Sequence, residues 1–180
     1  MRKSEEDEGS LKGNAESGGL EDLETAIGYS FQNPQLLVQS LTHSSRRQEA
    51  SRPEEESSNE QMEFLGDSIL GFLVSDVLVQ RFPEFSEGQL SKLKAHLVSA
   101  MHLYPAAQKI PLGPFLRLGK GEERSGGRTK KALQVNALEA LVAAVYLDGG
   151  LEPARSFIKR WILEGMDGEQ IQTADYKSEL

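Results

Sequence analysis

Glu63 and Asp67 stand four residues apart, and Asn136 and Glu139 three apart, each pair inside one of the most apolar stretches of the 180-residue chain. Side chains at i and i+3 or i+4 share one face of a helix, so each stretch, if helical, presents two oxygen donors together. A carboxylate buried without a partner is costly, and two side by side also repel. No lysine or arginine occurs between residues 59 and 80 or between 132 and 154, so any compensating charge must come from outside these stretches. Two readings meet that need. Either basic side chains or solvent from elsewhere in the fold reach the acids, or both helices hold one hard cation. For the latter, four oxygen ligands favour Mg2+ or Mn2+ over zinc.

Other chemistry is poorly supplied. The chain has no cysteine, which excludes a disulfide framework, thiolate zinc, iron–sulfur clusters and a cysteine nucleophile, and makes the cytoplasm the expected compartment. Of three histidines, His43 in Leu41-Thr42-His43-Ser44-Ser45 follows an apolar stripe and reads as a packed or interface residue. His96 and His102, expected on one helix, lack the i,i+4 spacing of a metal pair, and no His-Asp doublet occurs. The glycine-rich stretch from Gly119 to Lys131 carries Lys120, Arg124, Arg128 and Lys130 directly before the second acidic helix. It lacks P-loop spacing and follows no strand. It reads as a solvated loop or as a mobile basic loop suited to a phosphate backbone.

The elements around these residues are helical. Leu20, Leu23 and Ile27 mark a first helix; Asn33 as N-cap and Pro34 at the first helical position open a second carrying Leu36, Leu37 and Leu41. Residues 46–58 are expected to be a loop. A long helix from Asn59 to Phe82, stopped by Pro83, is expected to be buried on most sides. Ser86 opens a helix carrying Leu90, Leu93, Leu97 and Met101, residues 110–131 read as loop, and two helices follow, Leu133 to Leu147 and Pro153 to Leu163. No alternating strand pattern is sustained, so the expected class is all-α. No stretch approaches a membrane span and no secretory signal is expected at the acidic N-terminus.

Charge is unevenly distributed. Acidic residues outnumber basic ones 28 to 20, a net charge of -8, which as a bulk figure disfavours a nucleic-acid partner. Yet residues 1–24 hold eight acidic against three basic residues and 166–180 four against one, whereas 101–134 hold seven basic against two acidic. The expected organisation is a disordered acidic tail over 1–20, a folded domain over 21–165 and a linker segment over 166–180.

The run Asn59-Glu60-Gln61-Met62-Glu63-Phe64-Leu65-Gly66-Asp67-Ser68 resembles the signature of the ribonuclease III family, commonly NERLEFLGDS. The likeness continues through Leu41 to Ser45, Glu87-Gly88 with Leu90 to Ala95, Leu118 to Glu122, and Ala140 to Gly150, in the family's order over about residues 21–163. The resemblance implies a helical endonuclease domain that homodimerises and cuts double-stranded RNA. It implies 5′-phosphate and 3′-hydroxyl ends with a two-nucleotide 3′ overhang, in the processing of ribosomal and other structured precursors. Carried over by position, Glu63, Asp67, Asn136 and Glu139 would surround Mg2+, with Mn2+ able to substitute, Asp67 and Glu139 being catalytic. Glu60 and Glu87 match two further carboxylates near the cleavage site. Phe64 and Leu65 are candidates for the dimer seam, core burial being the alternative. Two departures stand out. Asn136 occupies a position where the family usually has aspartate, which implies weaker metal binding or a catalytically impaired, RNA-binding homologue. Asp175 to Leu180 resembles the opening of a double-stranded-RNA-binding domain that the chain does not continue.

Overall fold

The computed structural model describes residues 19–52 and 57–164. The expected tail lies outside them apart from Gly19 and Leu20, which open the first helix, and 166–180 lies outside them entirely. The elements are α1 (residues 19–27), α2 (Pro34–Leu41), α3 (Ser44–Glu49), α4 (Glu60–Arg81), α5 (Glu87–Leu97), α6 (Ala100–Lys109), α7 (Leu112–Phe115), α8 (Lys120–Arg124), a 3-10 turn (Gly127–Thr129), α9 (Lys131–Gly149) and α10 (Leu151–Trp161). Among the described residues the only strand-type pairing is an isolated parallel bridge between Thr42 and Arg117. The class is all-α, as the hydrophobic periodicity predicts.

Helix α9 is the axle, with α2, α4, α6 and α10 packed around it. Its sequence dictates this place. Ala137, Ala140, Ala143 and Ala144 are fully buried beside Leu138, Leu141, Val142 and Val145, so small residues let neighbours approach from several sides. Gly150, at φ 85°, ends it in a conformation that glycine adopts without strain. In the last turn the Asp148 carboxylate accepts from the Tyr29 hydroxyl (2.8 Å) and from the backbone N–H of Gln32 (2.9 Å) and Asn33 (2.8 Å). That carboxylate ties the α1–α2 connection to the end of α9. Asn33 then caps α2, accepting from Gln35 N at 3.1 Å.

Helix α4 differs from its expectation. It buries a single stripe, including Met62, Gly66, Leu70, Leu73 and Leu78, and leaves Phe64 (79%), Phe72 (55%) and Val79 (58%) exposed. The apolar run is longer than the surface available to cover it, because α9 occupies only one side. Three further expectations are corrected. The proposed loop over 46–58 begins as α3, because the His43 side chain caps Ser45 N and Glu49 is bonded to residues 120 and 121. Met101 and His102 belong to α6, not to the Ser86 helix: Ser99 turns extended and its hydroxyl accepts from His102 N, opening a new helix. The rings of His96 and His102 still meet, 5.5 Å apart, across that break. Residues 110–131 fold into α7, α8 and the 3-10 turn, held by Arg128, whose guanidinium donates to the carbonyl oxygens of Gly113, Pro114 and Leu116.

Candidate active site

The site is made by the crossing of α4 and α9. Gly66 permits it: a Cβ there would lie 1.8 Å from the Glu139 carbonyl oxygen, so the two backbones touch at the point where the acids lie. Glu63 and Asp67 flank Gly66 on α4, and Asn136 and Glu139 come from α9. All four, together with Glu60, line one cavity of about 570 Å3. The first turn of α4 is fixed by buried Asn59, whose N–H donates to Thr42 O (2.8 Å) and whose amide donates to Ser40 O (3.3 Å). The end of α2 therefore sets where α4 begins.

Burial of the acids is graded. Glu63 and Glu139 are half-buried and Asp67 is exposed, so solvent reaches the acids in part, as the first of the two readings allows. Burial, with Asp67 and then Glu63 adding repulsion, pushes the Glu139 carboxyl up to about 7. Glu63 is also raised, chiefly by burial and by the neighbouring Glu60 charge, against the opposing pull of the Asn136 amide and of His43. Among the described residues no ion pair reaches Glu60, Glu63, Asp67 or Glu139. The basic-partner reading of these acids thus finds no partner there. The carboxylates share the cavity without converging on one point: among the described residues no three Asp, Glu or His side chains form a ready-made ligand cluster. These oxygen donors, partly desolvated, mutually repelling and in no ion pair among the described residues, suit a hard divalent cation.

The other predicted positions separate. Glu87, at the start of α5, accepts from the Ser91 hydroxyl (2.6 Å) and faces a different cleft, beside Leu78, Val79 and Lys94. Arg128 is held by Glu123 (2.6 Å) and the three carbonyls of its loop, and Lys130 by Glu122 (2.6 Å) and Ser125 (3.0 Å). Their side chains are thus paired within their own loop while remaining partly exposed. Lys120 and Arg124, on α8, have no side-chain hydrogen bond or ion pair among the described residues. Phe64 lies exposed at the cavity rim, whereas Leu65 packs partly buried against the core.

Sequence reasoning missed several participants. His43 and Ser44 form part of the cavity wall, although His43 is expected to be a packed or interface residue. Gly66, an unexplained glycine amid good helix formers, was a readable sign of close backbone approach. Nothing local marks Asn59 as a buried anchor.

Similarity to known proteins agrees with this geometry. The profile of the family described as Ribonuclease-III-like matches residues 33–166. The chain is 54% identical over 147 residues to Ribonuclease 3 of Solibacter usitatus, covering 79% of this chain and 54% of that protein. It is 43% identical over 178 residues to Ribonuclease 3 of Geobacter sulfurreducens, covering 98% of this chain and 71% of that one. The chain thus spans about half the length of the first relative and about 70% of the second. Its structure is similar to the crystal structure of the nuclease domain of ribonuclease III from Campylobacter jejuni, with TM-score 0.73 and 35% identity, covering 81% of this chain and 95% of that one. A second structure of that nuclease domain, described as flexible in a region involved in dimer formation, gives TM-score 0.74 at 35% identity, over 82% and 98% of the respective chains. With its profile, its relatives and its helical architecture in agreement, the chain belongs to the ribonuclease III family.

Proposed function

We propose that this chain is a divalent-metal-dependent endonuclease domain that cuts double-stranded RNA as a homodimer. The observation that carries the reading is the α4–α9 crossing at Gly66, which brings Glu63, Asp67, Asn136 and Glu139 into one cavity beside Glu60, with no ion pair to these acids among the described residues. Glu63, Asp67, Asn136 and Glu139 would hold Mg2+, or Mn2+ in its place, which supplies Lewis-acid chemistry for hydrolysis of the phosphodiester. Glu139, the most desolvated acid, gains most from losing its proton to cation binding. Asp67, exposed on the same face, reaches toward the substrate side. Glu60, steadied by the Ser58 hydroxyl at 2.9 Å, extends the acidic wall. Lys120 and Arg124, which attract the Glu49 carboxylate but are in no ion pair among the described residues, offer charge to the phosphate backbone, and duplex RNA is recognised by shape and phosphates more than by base edges.

The dimer rests on α4. Phe64, Phe72 and Val79 fall on one side of that helix and remain exposed, a pattern that marks an interface better than scattered surface apolar residues do. The family's products, 5′-phosphate and 3′-hydroxyl ends with a two-nucleotide 3′ overhang, and a role in processing structured precursors such as ribosomal RNA in the cytoplasm, complete the reading. No helix among the described residues is long and apolar enough to cross a membrane. Incubation with a long RNA duplex and Mg2+ or Mn2+, against EDTA and Glu139→Ala, tests the site. Cleavage that survives either control would show that the site lies elsewhere.

A further inference from the structure

We propose that Glu49 is a positioning residue for RNA binding: its carboxylate latches α8 to the cavity wall, so that Lys120 and Arg124 are presented to the phosphates beside the cleaved bond. The inference rests on the ribonuclease reading above.

A five-residue helix has no stability of its own, so α8 stands where its tertiary bonds put it. Those bonds lead to the cavity. Glu49 Oε2 accepts from Lys120 N (2.6 Å) and Oε1 from Gly121 N (3.0 Å), so both oxygens serve the first turn of α8. These two bonds hold the Glu49 carboxyl below its ordinary range. Four residues earlier, Ser45 Oγ accepts from Gly119 N (3.0 Å) and lies 2.9 Å from Nδ1 of His43, which lines the cavity. Upstream, His43 N donates to Arg117 O (3.0 Å) and Arg117 N to Leu41 O (2.9 Å), closing a continuous seam between the two segments. The fit is tight: a Cβ on Gly119 would lie 2.6 Å from Ser45 O and 2.7 Å from Glu49 Oε1.

Glu49 is exposed and sits among cations that the ribonuclease reading assigns to phosphate. Its charge alone opposes RNA binding. A carboxylate that merely decorated the surface would therefore weaken affinity, and its removal would tighten it. A carboxylate that places α8 does the reverse, because its loss releases the first turn of α8, and with it the placement of Lys120 and Arg124 against the cavity wall, although Glu122 and Glu123 stay paired with Lys130 and Arg128 on the other side. The two roles predict opposite signs.

Binding of a short blunt RNA duplex to the whole chain, measured by fluorescence anisotropy in EDTA, reads that sign. Glu49→Ala is expected to weaken binding about fivefold or more although a negative charge has been removed, and Glu49→Gln, which keeps one acceptor oxygen, to restore part of it. KM for cleavage rises in parallel while kcat stays within about twofold. In a Lys120→Ala/Arg124→Ala background the Glu49→Ala change adds nothing, and amide exchange at Lys120 and Gly121 accelerates in Glu49→Ala. Unchanged or tighter binding by Glu49→Ala, a fall in kcat at constant KM, or a full effect in the double background would overturn the latch. A wild-type chain that neither binds nor cuts the duplex would overturn the ribonuclease reading as well.

Discussion

Helices α4 and α9 each carry oxygen donors one turn apart, and the fold treats them in opposite ways. On α4 the donors sit in the first two turns of an amphipathic helix, with Asp67 exposed and Glu63 half covered. On α9 the donor Glu139 projects from a helix whose neighbouring positions, Ala137, Leu138, Ala140 and Leu141, are fully buried. The cavity is its outlet. Accordingly the Glu139 carboxyl is pushed up to about 7, with burial as the leading cause. Electrostatic strain in this site is greatest on the central helix, while the peripheral helix shares it at Glu63, supplies exposed charge at Asp67 and keeps an exposed apolar face.

The strongest way to break that relation is to force the helices apart. Gly66→Val adds atoms where even a Cβ lies 1.8 Å from the Glu139 carbonyl oxygen. The expected loss is about 3 kcal/mol or more, read by urea denaturation, together with loss of cleavage. Wild-type stability would show that α4 and α9 separate without penalty.

Glu139→Gln sharpens the comparison. Cleavage should fall on the order of 100-fold or more. The folded protein holds a Glu139 proton that the unfolded chain releases near the ordinary 4.5, so the stability it contributes is full below that pH and is lost as pH rises through 7. Allowing for solvent screening, this is worth about 1–2 kcal/mol. Melting curves in EDTA should therefore show wild type losing stability from pH 5 to pH 7.5 relative to Glu139→Gln. Parallel curves would mean that Glu139 is solvated.

Asn136→Asp places a full second charge on α9. Divalent-cation affinity, followed by titration calorimetry without RNA, should tighten about tenfold, while stability in EDTA declines at neutral pH. Equal metal dependence for the two proteins would defeat the idea that Asn136 weakens the site, and a gain of cleavage only in the variant would favour the impaired-homologue reading. The smallest change at the site itself is expected from Phe72→Glu on the exposed face of α4. Light scattering should report a monomer at micromolar concentration, with chain stability altered by about 0.5 kcal/mol or less. A persistent dimer would move the seam off α4.

How much of this was legible follows from where each signal resides. The Asn33-Pro34 start and the apolar rhythm of Leu133 to Leu147 are local, and the helices they mark appear in the structure within a residue or two. Helix α3 was not legible, because Arg46-Arg47-Gln48-Glu49 has no apolar stripe and is held by Glu49 reaching residues 120 and 121, far along the chain. The α5–α6 break was partly legible in Ser99, which signals a cap but sits in an unbroken hydrophobic rhythm. The pairing of Arg128 with three carbonyls and of Lys130 with Glu122 was not legible, because composition counts charges and cannot see their partners.

The sequence by itself determined the class, the two apolar helices and the identity of the acids, since hydrophobic period and residue chemistry act over a few turns. Only the tertiary structure decided that α9 is central and α4 one-sided, that Glu139 is half-buried where Asp67 is exposed, and that Arg128 and Lys130 pair within their own loop. Burial and pairing depend on which distant segments pack together. Here the backbone contact at Gly66, hinted at by a glycine amid helix formers, and the carboxylate at Glu49, which no local pattern marks, are two such long-range contacts.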